Sequence, residues 1–179
     1  MQGTVLAVLA AVLVAALLAG TGRPPGRRGH HGHPVAARHA SCPPPSVRRP
    51  HRSGDADALQ VLHTWDRHRA AAYAAGSGHE LQRLYTVGSA AGAADLRLLS
   101  GYRSRGWRVT GMRTQLLAVT VTRRRAGLWT LRVTDRLERA VAVRGGRRVP
   151  LPRDAASTRL LTMTRAGDGR WRVVAVADG

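Results

Sequence analysis

The pattern of apolar and polar positions divides the chain into three parts. An uninterrupted apolar stretch occupies residues 5–20, and a stretch without apolar periodicity follows it to about residue 54. From Asp55 onward, apolar residues recur first at the 3.6-residue spacing of helices and then at the two-residue spacing of strands. This order predicts an α+β domain over residues 55–179, with three helices followed by four antiparallel strands.

Each predicted helix has a start or a stop signal. The first begins at Asp55, whose carboxylate suits the positive end of a helix dipole, and it ends at Gly76. Ser77 and Glu80 have the spacing of a capping box and predict a short second helix, and a third spans about residues 91–105. The positions expected to face the core are Ala58, Leu62, Trp65, Ala72, Tyr73, Leu81, Leu84, Leu96, Leu99 and Tyr102.

The strand region centres on a long hairpin from Trp107 to Val143. Alternating apolar residues in WRVTGMRTQLLAVTVT and LWTLRVTDRLERAVAV predict two long strands, and the intervening RRRAG predicts a tight basic turn. Residues 144–155 contain two Gly and two Pro and predict a loop, after which 157–165 and 171–177 complete the sheet. Besides Asp135, the inward positions expected are Leu117, Val119, Val121, Trp129, Leu131, Val133, Leu137, Val141, Val143, Leu161, Met163, Trp171, Val173 and Ala175.

The net charge of the chain is high, but it alters this interpretation only slightly. The formal net charge is +19, from 29 basic residues that are all arginine and 10 acidic residues. A charge of this size ordinarily indicates a polyanion partner, but arginine, alanine and glycine also accumulate in proteins of high-GC genomes. Aromatic residues make up only 4% of the chain, so few platforms exist for stacking bases. We therefore expect no nucleic-acid partner.

The first 22 residues are interpreted as a signal peptide or a membrane anchor. Counted from Thr4, the apolar stretch would be roughly 26 Å long as a helix, slightly shorter than a hydrocarbon core of about 30 Å. Arg23 follows it closely and no basic residue precedes it, which would favour a cytoplasmic domain by the positive-inside rule. Because an apolar leader on a small domain usually exports it, we expect a secreted or membrane-anchored domain outside the cytoplasm.

Residues 23–54 are predicted to be a disordered linker. They are rich in Pro, Gly, His and Arg, include seven arginines and contain no acidic residue. The arginines could lie against anionic lipids or wall polymers. The histidines between His30 and His39 have no fixed scaffold, and Cys42 is the only cysteine, so no metal site, disulfide or cofactor is predicted.

The residues after the linker resemble the nuclear transport factor 2-like superfamily. The resemblance covers about residues 55–178 and rests on VLHTWDRHRAAAYAAGSGHELQRLYTVGSAAGAADLRLLSGYRSRGWRV, on LRVTDRL and on the closing WRVVAV. More narrowly, the chain is similar to exported or membrane-anchored versions of this SnoaL and ketosteroid isomerase type from high-GC Gram-positive bacteria. The resemblance implies a cystatin-like cone, in which a curved sheet encloses a hollow that helices close. Members include isomerases, cyclases, dehydratases and non-catalytic assembly modules, so the fold leaves function open.

Asp135 is the main candidate for chemistry, because it lies in the apolar row of the second hairpin strand. Burial in the hollow would raise its pKa and suit it to proton transfer. The favoured alternative is an internal ion pair with an arginine, or a hydrogen bond to a helix tyrosine. Tyr73, Tyr85 and Tyr102 could line the pocket mouth, although such tyrosines are more often core residues with satisfied hydroxyl groups.

The surface offers a second set of candidates. Arg123, Arg124 and Arg125 at the hairpin tip could form a docking surface together with Arg147 and Arg148. The resemblance implies that the sheet often forms a homodimer interface, and threonines on the outer side of the strands would suit one.

Three functional hypotheses follow from these features. The leading one is a membrane-tethered or exported, non-enzymatic binding or assembly module, with a protein partner or a second copy of the chain. The alternatives are a small pocket enzyme of the isomerase or cyclase type that uses Asp135, and a protein that binds anionic lipid or wall polymer through its arginine-rich stalk. The sequence names no small-molecule ligand.

Overall fold

A computed structural model describes residues 53–179, so the predicted leader and nearly all of the predicted linker lie outside the described residues. None of the helices in this part of the chain is long and apolar enough to cross a membrane. The elements are α1 (Ser53–Ala75), α2 (Gly78–Gln82), α3 (Ala90–Ser104), β1 (Arg108–Arg125), β2 (Leu128–Arg144), β3 (Arg147–Pro150), β4 (Ser157–Arg165) and β5 (Trp171–Asp178).

The strands form one antiparallel sheet in the order β1-β2-β4-β5, and β3 pairs with the far end of β2. The expected α+β arrangement of three helices and an antiparallel sheet is confirmed. The prediction of a loop throughout 144–155 was wrong for its first part. Gly145 and Gly146 both adopt positive φ, which L side chains avoid, and they form a tight turn that returns Arg147–Pro150 along Val141–Arg144.

The helices bury the apolar face that the sequence predicts. Of the expected inward helix positions all are buried except Leu96, which is partly buried and packs against the core. The helix α1 lies against β1, and α3 lies against α2 and β5. The largest fully buried side chains come from both layers, namely Tyr73, Leu81, Leu99, Leu131, Met163 and Val173. The core therefore lies between the helices and the concave face of the sheet.

The start of α1 differs from the expected cap. Asp55 accepts a hydrogen bond from the backbone amide of Val121 on β1 at 2.9 Å, and Asp57 pairs with Arg124 at 3.1 Å. These carboxylates therefore fasten the helix start to the sheet. In α2, by contrast, the Ser77 side chain accepts from the Glu80 amide, as the capping-box spacing predicts.

Bulges move two predicted inward residues to the outside. The register of β1 and β2 shifts between Leu116 and Ala118, so Leu117 faces outward and is 46% exposed. A similar irregularity in β5 turns Ala175 outward and places Val176 against the core. Each bulge inserts one residue that has no partner, which reverses the alternation beyond it.

The second half of β2 is out of phase with the prediction for the same reason. Glu138 has no opposite residue on β1, and beyond it Ala140 and Ala142 are buried in place of Val141 and Val143. Upstream of Glu138 the predicted alternation from Trp129 through Leu137 is confirmed.

The tip of the hairpin is shorter than predicted. Arg123, Arg124 and Arg125 continue β1 and pair with Thr130, Trp129 and Leu128. The chain reverses at residues 126–127, where Gly127 adopts φ 71°. The interpretation of RRRAG as a turn was therefore wrong for its three arginines, which belong to the strand.

Candidate functional site

The hollow of the cone contains a buried ion pair between adjacent strands. Asp135 of β2 and Arg159 of β4 both point inward, and Arg159 lies opposite Val133, two residues from Asp135. The Arg159 Nη2 donates to the Asp135 Oδ1, and the two side chains are only 8% and 9% exposed. Burial raises the pKa of Asp135, and the Arg159 guanidinium offsets part of that rise. The ion pair that the sequence favoured for Asp135 is thus the arrangement found.

A cavity beside this pair is the remaining space of the hollow. Its volume is about 40 Å³, and its walls include Leu62, Trp65, Tyr85, Val133, Asp135 and Arg159. Such a space has room for a few water molecules at most, whereas small-molecule pockets usually measure about 300–1,000 Å³. In this structure, therefore, the hollow is filled by the protein's own side chains.

A second ion pair joins α1 to α3 deeper in the core. Arg69 donates from Nε to Asp95 Oδ2 at 2.7 Å and from Nη2 to Oδ1 at 2.6 Å, which is the parallel two-bond geometry of strong arginine–carboxylate pairs. The hydroxyl groups of Tyr73 and Tyr85 donate to the same carboxylate at 2.6 and 2.8 Å. Arg69 is 2% and Asp95 3% exposed, so water hardly reaches the cluster.

The electrostatics of this cluster keep Asp95 ionised. Burial alone would raise the pKa of its carboxyl group, but Arg69 and the hydrogen bonds from the two tyrosines hold that pKa below the usual value. Burial also raises the pKa values of Tyr73 and Tyr85 far above the ordinary value of about 10, and the Asp95 charge adds to the rise. Both hydroxyl groups therefore remain protonated donors.

The tyrosines predicted to line a pocket mouth take different positions. Tyr85 borders the small cavity, but its hydroxyl group is engaged by Asp95. Tyr73 is 2% exposed and serves the same carboxylate. Tyr102 is also 2% exposed, and among the described residues its hydroxyl group has no hydrogen-bond partner. The structure thus brings Tyr85 and Asp135 to one cavity, where Asp95 accepts from the Tyr85 hydroxyl group and Arg159 donates to the Asp135 Oδ1.

The Arg69–Asp95 pair was missed by the sequence reasoning. Arg69 stands four residues from both Trp65 and Tyr73, on the apolar stripe of α1, and Asp95 stands four residues before Leu99 on the stripe of α3. A charged residue within an apolar helix stripe is the signal that could have found each partner. Two such residues of opposite sign on neighbouring helices predict a buried pair, because an unpaired charge would be too costly to bury.

The basic candidates do not form one surface. Arg123 to Arg125 pair with the first residues of β2, whereas Arg147 and Arg148 pair with Arg144 and Val143 at its end. The thirteen residue steps from Thr130 to Val143 correspond to roughly 43 Å along the strand. Arg124 is also neutralised by Asp57 and lies 4.8 Å from the Trp129 ring centroid. The structure therefore separates the predicted docking residues into two ends.

The comparisons with known proteins concern this fold. No protein-family model and no curated protein matches the sequence. Among solved structures, the intermembrane space region of the chloroplast protein ARC6 aligns at TM-score 0.51 and 11% identity over 72% of this chain and 99% of that one. ActVI-ORFA from Streptomyces coelicolor aligns at TM-score 0.47 and 9% identity over 69% of this chain and 95% of that one. A cystatin-like domain from Nostoc punctiforme aligns at TM-score 0.40 and 16% identity over 70% of this chain and 76% of that one.

These likenesses concern the fold alone, since all three identities are below 25%. The fold that the resemblance implies, with helices packed on one face of an antiparallel sheet, is confirmed at that level.

Proposed function

From this cone with a filled hollow, we propose that the chain is an exported or membrane-tethered, non-enzymatic module that binds and assembles through the outside of its fold. The observation that carries the proposal is the state of the hollow, where Asp135 is paired with Arg159 beside a cavity of about 40 Å³. A general acid or base needs a free proton-transfer atom within reach of a substrate. Arg159 holds the Asp135 carboxylate through Oδ1, and the hollow has no space for a substrate beside it.

The convex side of the sheet, here called the outer face, is the surface best suited to a partner. Its side chains form rows across four strands, because each register pairs outward residues with outward residues. The rows consist mainly of small or β-branched side chains, namely Ala118, Thr120, Thr130, Thr134, Thr158, Thr162, Thr164, Ala175 and Ala177, together with Leu160. Such side chains lose little conformational entropy when they are covered.

A second copy of the chain is the partner proposed for this outer face. The face is self-complementary in chemistry, because threonine hydroxyl groups donate and accept hydrogen bonds equally well, as Thr134 and Thr158 do with each other at 2.8 Å. Arg132 and Arg136 are its charged residues on β2, and Gln115 binds the guanidinium of Arg136 at 2.8 Å. A two-fold arrangement would bury the threonine rows and leave Arg136 toward the rim. Arg132 stands between Thr130 and Thr134, so its guanidinium group would have to meet hydrogen-bond acceptors of the second copy.

Tethering or export is proposed from residues 1–54, whose composition predicts an apolar leader and a basic linker. The ARC6 region, which aligns at TM-score 0.51, is by its name from an intermembrane space, and that name supports a module beside a membrane.

The outer face is tested by Thr162→Arg, which places a charge at the centre of the rows. We expect the full-length chain in detergent to self-associate in sedimentation velocity, and the substitution to weaken association at least about tenfold, because charges would oppose each other across the two-fold axis. Ala93→Arg, at an exposed position on α3, adds the same charge and should leave association unchanged. A parent chain that stays monomeric at every concentration, or equal effects of both substitutions, would contradict the proposal.

The pocket-enzyme hypothesis is less well supported. One observation supports this hypothesis, namely that Asp135 and Tyr85 border the same cavity. It requires that Asp135 leave Arg159 and that the cavity grow several-fold. We therefore retain the binding module as the function that the geometry supports best.

A further inference from the structure

Six arginines gather at one end of the cone, where α1 and α3 finish, β1 starts, and β2 turns into β3. We call this cluster the basic end, and its members are Arg103, Arg105, Arg108, Arg144, Arg147 and Arg148. All six are exposed. Arg147 stands directly opposite Arg144, and Arg108 and Arg148 flank Val143 on its two sides.

The fold holds several of these guanidinium groups in place. Arg144 lies 5.1 Å from the Trp107 ring centroid and donates to the Arg105 carbonyl oxygen at 3.2 Å. Arg108 donates to the carbonyl oxygen of Ala75, the last residue of α1, also at 3.2 Å. Each contact uses one of the five donors of a guanidinium group, so the other donors remain available at the surface. The cluster is therefore positioned before any partner arrives.

No carboxylate balances this cluster. All ten acidic residues of the chain lie in the described part, and the arginines in ion pairs there are Arg69, Arg83, Arg113, Arg124, Arg159 and Arg172. The basic end contributes none of them. The carbonyl ends of α1 and α3 supply only a partial negative charge. Six neighbouring positive charges with no counter-charge favour an anionic partner, and codon bias does not explain why the acids avoid this end.

The shape of the basic end favours a lipid surface over a nucleic acid. Arg108 and Arg148 lie on strands separated by β2, so their Cα atoms are about 10 Å apart, and Arg144 and Arg147 are about 5 Å apart. This is an open array at the end of a sheet, and the neighbouring Tyr102 and Trp107 are buried and unable to stack with bases. Phosphate headgroups in a bilayer present anions over an equally broad plane.

We propose that the basic end docks onto a membrane surface that contains anionic phospholipid. The linker enters at the opposite end, because α1 starts beside the β1–β2 turn and its 23 residues place its two ends about 34 Å apart. The linker predicted from the sequence has an expected span of roughly 30 Å, which matches that length. A chain tethered at its N-terminus can thus return its basic end to the same bilayer. The return of the basic end to the same bilayer rests on the proposed tether, whereas the arrangement of the arginines at the basic end does not.

The test measures which end of the full-length chain approaches the bilayer. In a Cys42→Ser background, a donor fluorophore is attached at Ser104→Cys on the basic end or at Ala126→Cys at the opposite turn, both exposed positions. The chain is added to vesicles of phosphatidylcholine, with or without phosphatidylglycerol, that carry an acceptor lipid. We expect greater energy transfer at residue 104 than at residue 126 in anionic vesicles alone, and a loss of this difference at high salt.

Matched variants distinguish docking through the basic end from attraction by the net charge of the whole chain. We expect the simultaneous replacement of Arg103, Arg147 and Arg148 by glutamine to lower the ratio of docked to undocked chain on anionic vesicles. The decrease should be about fivefold for each arginine removed. The same change at Arg123, Arg125 and Arg170, at the other end, should leave transfer at residue 104 unaffected. Equal energy transfer at the two labels would overturn the proposal, and so would equal effects of the two triple variants. The proposal would also be wrong if the chain did not bind anionic vesicles at all, or if residue 104 bound heparin but did not approach the vesicles. If the chain does not self-associate but still docks onto anionic vesicles, only the proposed function is refuted.

Discussion

Replacing Asp95 by asparagine should lower the free energy of unfolding by about 3–5 kcal/mol, as expected when one partner of a buried ion pair is removed. Arg69 would keep its charge in a site where it is 2% exposed, and the bonds from Tyr73 and Tyr85 would lose their ionised acceptor. Denaturant unfolding of the full-length chain, followed by circular dichroism, measures the effect.

Glu138→Gln is the matched control for Asp95→Asn, because it also converts a paired acid to its amide. Glu138 pairs with Arg113 at 2.9 Å, but the side chains are 39% and 67% exposed, so the loss should stay below about 1 kcal/mol. If Asp95→Asn were as mild as Glu138→Gln, water would have to reach Arg69 in the folded protein, and the closed core described above would be wrong.

Asp135→Asn should have the second largest effect, a loss of about 3 kcal/mol, because Arg159 would remain buried without its counter-charge. The double variant Asp135→Leu with Arg159→Met should recover most of that stability, because well-packed apolar side chains replace a buried ion pair at little cost or with a gain. The recovery is expected since the surrounding walls, Leu62, Val133 and Val173, are apolar.

The comparison of the single and double variants decides what Asp135 does. Both are unfolded in denaturant under the same conditions. Asp135→Leu alone and Arg159→Met alone complete the double-mutant cycle, which gives the coupling energy between the two side chains. A double variant that folds well and still self-associates fits a structural role for the pair. A single variant as stable as the parent would instead mean that Asp135 does not depend on Arg159, which would revive the pocket-enzyme hypothesis.

The sequence predicts the order of elements well because local signals determine it. The apolar stripe of α1, the Ser77 cap of α2 and the alternation from Trp129 to Leu137 each report directly on the structure that forms. It fails at Leu117 and Ala175 because a bulge depends on how two strands pair, and neither strand encodes that choice alone.

The site is harder to predict than the fold. Asp135 was visible as a charge in an apolar row, but its partner Arg159 comes from β4, 24 residues away, and only the register brings them together. The Arg69–Asp95 pair was missed because only the apolar positions of the helix stripes were considered, and these two charges within the stripes were not. The basic end required knowing that three chain segments finish at one place, which is a tertiary fact.

The claim that the interior is closed is tested most directly by titrating the tyrosines. Burial raises the pKa values of Tyr73, Tyr85 and Tyr102. A raised folded pKa stabilises the fold below the unfolded value of about 10, and that contribution is lost as the pH rises further. We expect no tyrosinate absorbance at 295 nm near pH 10 while circular dichroism shows a folded chain, and its appearance only with alkaline unfolding. Ionisation of Tyr85 near pH 10 in the folded protein would show that the hollow is open to solvent.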